Sequence, residues 1–364
     1  MMMPKSVLEA AETDDVPVLR VSTKYMQTFQ PVKPALGGKS LLTHLNSRGD
    51  LDIYTVGTAD QVHRFRREKG GNAPYRAQSL GFAADQIFAY SEAGIDLDNP
   101  NILGLDPKGQ LTLATYNAEV GIYAQRVCQP SMASQAINRF LAVRGLNGGV
   151  YANVVLEDGS LANNFLKAGT TEWAGAEWVP VAGPDGNPVK PKTIAMCAND
   201  PVQSALFAIG PDDEVLFSEE SFRTSTMRVL TSSATLAAAE HLSVVADADG
   251  KLNIFASSAA DGSLWWKKQK QYSTDGIQFE DWQQIASETP IRITALYAAQ
   301  CFNGLLQVFA ADADGRLHRA VQIGESRTSL RWRALFPIGQ SVDNAAFTIG
   351  RTSAGYAEAY TATP

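Results

Sequence analysis

Apolar and polar residues alternate in short runs along this chain, and the runs come in pairs joined by tight turns. Six segments share one form: IYTVGTADQVHRF, ILGLDPKGQLTLA, NVVLEDGSLANNF, LFAIGPDDEVLFS, IFASSAADGSLWW and VFAADADGRLHRA. In each, an apolar strand meets an Asp/Gly-type turn, and a second strand opens on Val62, Leu111, Leu161, Val215, Leu264 or Leu317. These positions recur every 49 to 54 residues. Alternation dictates strand, because successive side chains point to opposite faces of a sheet. Asp-Gly and its relatives reach the positive φ that a tight hairpin requires.

Each pair is preceded by a strand rich in small residues, as in SLLTHL, KTIAMCA, HLSVVA and ALYAAQ. A further strand follows, often with an aromatic residue, as in AEWVPVA, DWQQIA and LRWRALF. Four antiparallel strands at a period near 50 residues define a β-propeller blade. Small residues suit the crowded axis, and indoles suit the wider space between blades. No window sustains the 3.6-residue period of a helical solenoid.

Six such repeats fill residues 39–338. The tail NAAFTIGRTSAGYAEAYTATP supplies a first strand, a turn and a second strand of a seventh, with residues 356–361 as the second strand. Its missing strands are expected from VPVLRVSTKYMQTFQPVKP, with residues 16–22 pairing onto the tail, because that closure removes both open sheet edges. The sequence thus predicts an all-β, seven-bladed propeller with four antiparallel strands per blade, occupying residues 15–364 as one domain. Residues 1–14 carry no strand signal and are expected to form a flexible tail. Insertions at 92–100, 182–191 and 270–278 are expected as blade-edge loops, where binding sites are usually built.

Composition narrows the partners. Hydrophobic residues make up 45% of the 364 positions, ample for a core, and the net charge is −7 with no basic run. That balance argues against a nucleic-acid groove or an anionic membrane surface. No apolar run is long enough to insert in a membrane, and the opening MMMPKSVLEAAETDDVP lacks the apolar centre of a signal peptide. A cytoplasmic protein, or one released without a cleaved signal peptide, is the expectation. Cys128, Cys197 and Cys301 lack metal-ligand spacing and read as reduced, mostly buried residues.

The fifth and sixth repeats, with NIFASSAADGSLWWKKQ and QVFAADADGRLHRAVQ, resemble the tectonins and the related bacterial propeller lectins that bind fucose-type sugars. The shared pattern is an apolar-Phe-Ala strand, a polar turn ending in Asp-Gly, then Leu-Trp. Neither the paired glycines of kelch repeats nor the closing Trp-Asp of WD repeats recurs. This chain keeps the Trp after the Leu only as Trp265; His63, Thr112, Ala162, Leu216 and His318 stand at the same place elsewhere. The resemblance therefore implies a lectin-like ring whose best remaining sugar site lies at the fifth repeat.

The ligand-binding candidates are Trp265, Trp266, Trp282, His63 and His318. An indole face stacks on the C–H face of a sugar, and its N–H donates a hydrogen bond. The competing role for Trp173, Trp178, Trp332 and these indoles is as spacers between blades. His44 and His241, expected on innermost strands, together with Glu240, are the candidates for axial catalysis. Asp343 and Asn344 are the other polar axial positions. The DADG turns at 247–250 and 312–315, and the turn Arg48-Gly49-Asp50, read as ordinary turn chemistry rather than calcium or adhesion motifs.

There is no Gly-x-Ser-x-Gly elbow, no P-loop and no HExxH, and nothing calls for a metal or a cofactor. Two readings follow. The first is a non-catalytic, lectin-like binding propeller that recognises a glycan or a protein surface through blade-edge loops. The alternative is an enzyme of small-molecule secondary metabolism that uses the central pocket.

Overall fold

The computed structural model describes residues 40–57, 59–67, 75–91, 97–131, 133–145, 148–200, 203–219, 226–230, 236, 238–273, 276–300, 304–323, 331–341, 347–351 and 357–361. The expected tail at 1–14, the closing strand at 16–22, residue 356, Cys301, Asp343 and Asn344 lie outside them.

Every regular element among the described residues is a strand, and all pairing between these strands is antiparallel, mostly between chain neighbours. The first sheet comprises β1 (Ser40–Leu45), β2 (Leu51–Val56), β3 (Gln61–Arg67) and β4 (Tyr75–Ala83). The second comprises β5 (Gln86–Tyr90), β6 (Asn101–Leu105), β7 (Leu111–Asn117) and β8 (Ile122–Val127). The third comprises β9 (Ile137–Arg144), β10 (Val150–Leu156), β11 (Leu161–Leu166) and β12 (Val179–Pro180). In the fourth are β13 (Thr193–Asp200), β14 (Gln203–Ile209), β15 (Val215–Ser218) and β16 (Arg228–Val229).

The next two sheets depart from four strands. The fifth runs β17 (Ala239–Ala246), β18 (Leu252–Ser258) and β19 (Leu264–Ser273), and β19 then pairs with both β20 (Gly276–Phe279) and β21 (Gln283–Ile285). The sixth runs β22 (Ile293–Gln300), β23 (Leu306–Asp312) and β24 (Arg316–Ile323), with both β25 (Arg331–Trp332) and β26 (Phe336–Ser341) on β24. The expected loop at 270–278 is thus largely strand: β19 runs on to Ser273, which pairs with Gly276 at φ 92°. A third strand longer than its usual outer partner leaves donors and acceptors that a second short strand satisfies.

A seventh, two-stranded sheet joins β27 (Phe347–Arg351) to β28 (Ala357–Thr361). Innermost strands touch in order, β1 to β5, β9, β13, β17 and β22, and β27 lies against both β22 and β1. The sheets therefore stand around an axis, and the architecture is a β-propeller.

The turns between second and third strands lock one sheet to the next. Residues with positive φ sit there in every repeat: Asp60, Gly109, Gly159, Asp213, Gly262 and Gly315. The Gly109 carbonyl accepts the Ile137 N–H at 2.9 Å, and a Cβ on Gly109 would lie 2.9 Å from Ile137 backbone atoms. Only glycine allows that approach there.

The core is a set of slabs, one in each of the five gaps from the first sheet to the sixth. One layer of these slabs comes from directly opposed pairs on second and third strands. They are Tyr54–Arg64, Leu103–Leu113, Asn153–Asn163, Phe207–Phe217, Phe255–Trp266 and Phe309–Arg319, all buried. In each sheet this pair faces the gap to the following sheet.

Candidate binding site

Trp265 and Trp266 are adjacent on β19 and so point to opposite sides of the fifth sheet. Trp265 is half-buried against the slab shared with the fourth sheet, and its Nε1–H donates to Ser263 Oγ at 2.9 Å. Ser263 Oγ in turn donates to Asp261 Oδ1 at 2.7 Å. Those hydrogen bonds hold the Asp261 carboxyl below the usual carboxylate range. The local sequence Asp261-Gly262-Ser263-Leu264-Trp265 thus builds a turn, anchors the indole by its N–H and leaves part of the ring open to solvent.

The other indoles are placed as spacers. Trp266 is 7% exposed, donates its Nε1–H to Asn253 Oδ1 at 3.0 Å and meets Trp332 edge-on at 5.6 Å. Trp282 is 5% exposed in the same slab that Trp265 borders, with Lys267 Nζ 5.5 Å from its ring centroid. Burial lowers the Lys267 pKa. Trp173 and Trp178 pack edge-on in the slab between second and third sheets. Of the two predicted indole partners of Trp265, Trp282 shares its gap and Trp266 does not.

The residues that replace Trp265 elsewhere do different work. His318 is buried, and its Nε2 shares a 2.7 Å hydrogen bond with Asp312 Oδ2. Asp312 Oδ1 accepts the N–H groups of Asp314 and Arg316, closing the second DADG turn. Burial would raise the Asp312 pKa, but His318 and these N–H groups hold it below the ordinary range. His63 is half-buried on β3, with its pKa lowered by burial. Thr112 donates to its own sheet's Gly104 carbonyl, and Leu216 is buried in the third–fourth slab. The first DADG turn is built likewise: Asp247 Oδ1 accepts from Asp249 and Lys251, and its Oδ2 pairs with Lys268 at 2.9 Å.

The axial candidates are not brought together. His44 lies opposite Asp52 beside the turn between first and second strands, whereas His241 lies opposite Ser257 near the turn between second and third. They therefore occupy opposite ends of the innermost strands. His44 Nε2 shares a 3.0 Å hydrogen bond with Ser91 Oγ. The imidazole also shares a hydrogen bond with the Leu97 backbone, whereas Asp52, the carboxylate opposite it, is engaged elsewhere. Fully buried, it takes a bifurcated hydrogen bond from the one Arg66 Nε–H, at 3.0 and 2.9 Å, another from Arg66 Nη2, and one from Asn46 Nδ2 at 2.9 Å.

At the other end, Ser257 Oγ accepts the His241 N–H at 3.1 Å and shares a 3.0 Å bond with Nδ1. Glu240, the bulged residue beside it, faces Arg292 at 3.6 Å. Burial lowers the pKa of both His44 and His241. Burial also pushes the Cys128 and Cys197 thiols up to about 11, so neither is a thiolate nucleophile at neutral pH. No group of three His, Cys, Asp or Glu among the described residues is placed to hold a metal ion, and the described residues include no helix long and apolar enough to cross a membrane.

Sequence reasoning overlooked two polar clusters. Arg64 and Arg66 both donate to the Asp98 carbonyl, tethering the turn that leads into β6 of the second sheet to the first sheet. Asn153 and Asn163 form the other cluster. Their signal lay in the aligned repeats, where asparagine stands at two places that large side chains fill in the other repeats.

No family model and no curated protein matches the chain. Among solved structures it is similar to BP39L lectin from Burkholderia pseudomallei, at 13% identity over 89% of this chain and 95% of that one, with TM-score 0.56. It is likewise similar to the Aleuria aurantia lectin, a six-bladed β-propeller with fucose recognition, at 11% identity over 85% and 98%, TM-score 0.52. A third is BBS1N, solved in complex with ARL6DN, at 13% identity over 92% and 94%, TM-score 0.52. Likeness at such identities defines the class by fold: the chain is a β-propeller.

Proposed function

We propose that this protein is a non-catalytic, lectin-like propeller of tectonin type that recognises a glycan, with the rim of the gap between fourth and fifth sheets as its principal site. One observation carries this reading: Trp265 alone among the candidate indoles combines a partly open ring with an N–H fixed by a neighbouring hydroxyl. A ring held in place loses little entropy when a sugar stacks on it. Sugar binding by relatives of the same fold, such as the Aleuria aurantia lectin, is compatible with it. Glycan-array screening followed by calorimetry tests it. Trp265→Ala is expected to weaken binding by about 1–3 kcal/mol while leaving the fold intact. Unchanged binding would remove this site, and failure of every glycan to bind would remove the lectin reading and leave a protein surface as the partner.

The same proposal takes the ring as seven-bladed, with residues 16–22 completing the sheet formed by β27 and β28. A two-stranded sheet is marginal alone and leaves an unpaired edge. Deleting residues 1–33 is therefore expected to cost stability and give aggregated protein, whereas deleting 1–12 is nearly silent. A soluble, equally stable chain lacking 1–33 overturns the closure.

A further inference from the structure

Among the six sheets whose second and third strands are described, the opposed pair fills the following gap with bulk in five. Tyr54–Arg64, Leu103–Leu113, Phe207–Phe217, Phe255–Trp266 and Phe309–Arg319 present large side chains to the following sheet. The third sheet presents Asn153 and Asn163, 0% and 1% exposed, towards the fourth. Asn153 Nδ2 donates to Met196 Sδ of β13 at 3.0 Å, which fixes the direction in which this pair faces. Three polar atoms then remain: Asn153 Oδ1, Asn163 Oδ1 and Asn163 Nδ2, all buried and without a partner among the described residues. Leaving one such atom bare costs about 1–3 kcal/mol, so three in one layer demand an occupant.

The surroundings define its chemistry. Leu206 and Leu216 of the fourth sheet, with Val155 and Leu161 of the third, wall the layer on its apolar side. Tyr151 and Phe165, with ring centroids 4.7 Å apart, lie one layer further along the same strands. Ser204 and Ser218, both buried, share a face with Leu206 and Leu216 by strand alternation. No charged side chain faces the amides from these strands. Two acceptors and a donor, enclosed by apolar walls, suit a neutral molecule that both donates and accepts and is no larger than the missing aromatic bulk.

We propose that the gap between third and fourth sheets is a built internal hydration site, in which ordered water donates to the two carbonyl oxygens and accepts from Asn163 Nδ2. Buried waters typically make about three hydrogen bonds to groups that would otherwise be unsatisfied.

A high-resolution crystal structure of the full chain tests this directly, beside oxygen-17 relaxation dispersion, which counts long-lived internal water. Water density bonded to both amides is expected, and Asn153→Leu/Asn163→Leu, which copies the Leu103–Leu113 pair, should lose at least one long-lived water. Amides bonded directly to each other or to neighbouring side chains, with no water density between them, would overturn the proposal. So would an unchanged water count in the folded double variant. Should that variant fail to fold, Asn163→Ser keeps a donor and an acceptor in a smaller side chain. It should hold or gain water in the same assay, and a drop in the count would equally overturn the site.

Discussion

Trp266→Ala separates packing from recognition at the fifth sheet. The side chain is buried opposite Phe255, meets Trp332 edge-on and satisfies Asn253 Oδ1 at 3.0 Å. Truncating a buried aromatic residue to alanine costs about 3–5 kcal/mol through lost transfer energy and the cavity left behind. The bare Asn253 acceptor adds up to about 1–3 kcal/mol, because its amide is fully buried. Trp332 is only partly buried and can lean into the space, which offsets some of the loss. The expected net cost is about 4 kcal/mol, a large share of the roughly 5–15 kcal/mol that a folded domain commands. Trp266→Phe keeps most of the ring and removes the N–H, so its cost should be about 1–2 kcal/mol. Urea denaturation followed by fluorescence and circular dichroism measures both, with an unchanged m-value certifying the comparison. A cost below about 1 kcal/mol for the alanine variant would mean that the gap between fifth and sixth sheets is not packed as described.

Two further outcomes follow from the charged groups. Asp52→Ala strands the Arg66 and Asn46 donors and should destabilise by about 2–4 kcal/mol, discounted because Arg66 is partly solvated; a cycle with Arg66→Met, read by denaturation, should show clear coupling, and strict additivity would refute the pairing. The fold keeps His44 and His241 neutral by burial, so their contribution is complete above the ordinary histidine pKa of 6.5 and is lost as pH falls below it towards their lowered values. Melting temperature should therefore drop between pH 7 and pH 5, less so in His44→Gln, and an identical slope in that variant would refute the assignment.

Much of the ring was legible because turn chemistry and alternation act locally. The six hairpins begin their third strands at Leu111, Leu161, Val215 and Leu264 as expected, and one residue before Val62 and Leu317. The outer edges were harder to read. Nothing local tells Lys270 and Gln271 to continue a strand rather than open a loop, since it is the length of β19 that recruits β20. The opposite orientations of Trp265 and Trp266 follow from alternation alone, but which gap is sealed and which keeps an open rim depends on the neighbouring sheets. The separation of His44 from His241 was readable from their distances to flanking turns. The tether from Arg64 and Arg66 to Asp98 was not, because it joins residues more than 30 positions apart on different sheets.

A core divided into slabs also sets how substitutions combine. Each slab is bounded by two sheets, so the layer pair of one gap does not touch that of the next. Changes in separate slabs should add to within about 0.3–0.5 kcal/mol, while changes within one slab should couple. The ring can therefore drift one gap at a time: an amide pair persists between the third and fourth sheets while a Phe pair fills the next gap, and neither forces the other to repack.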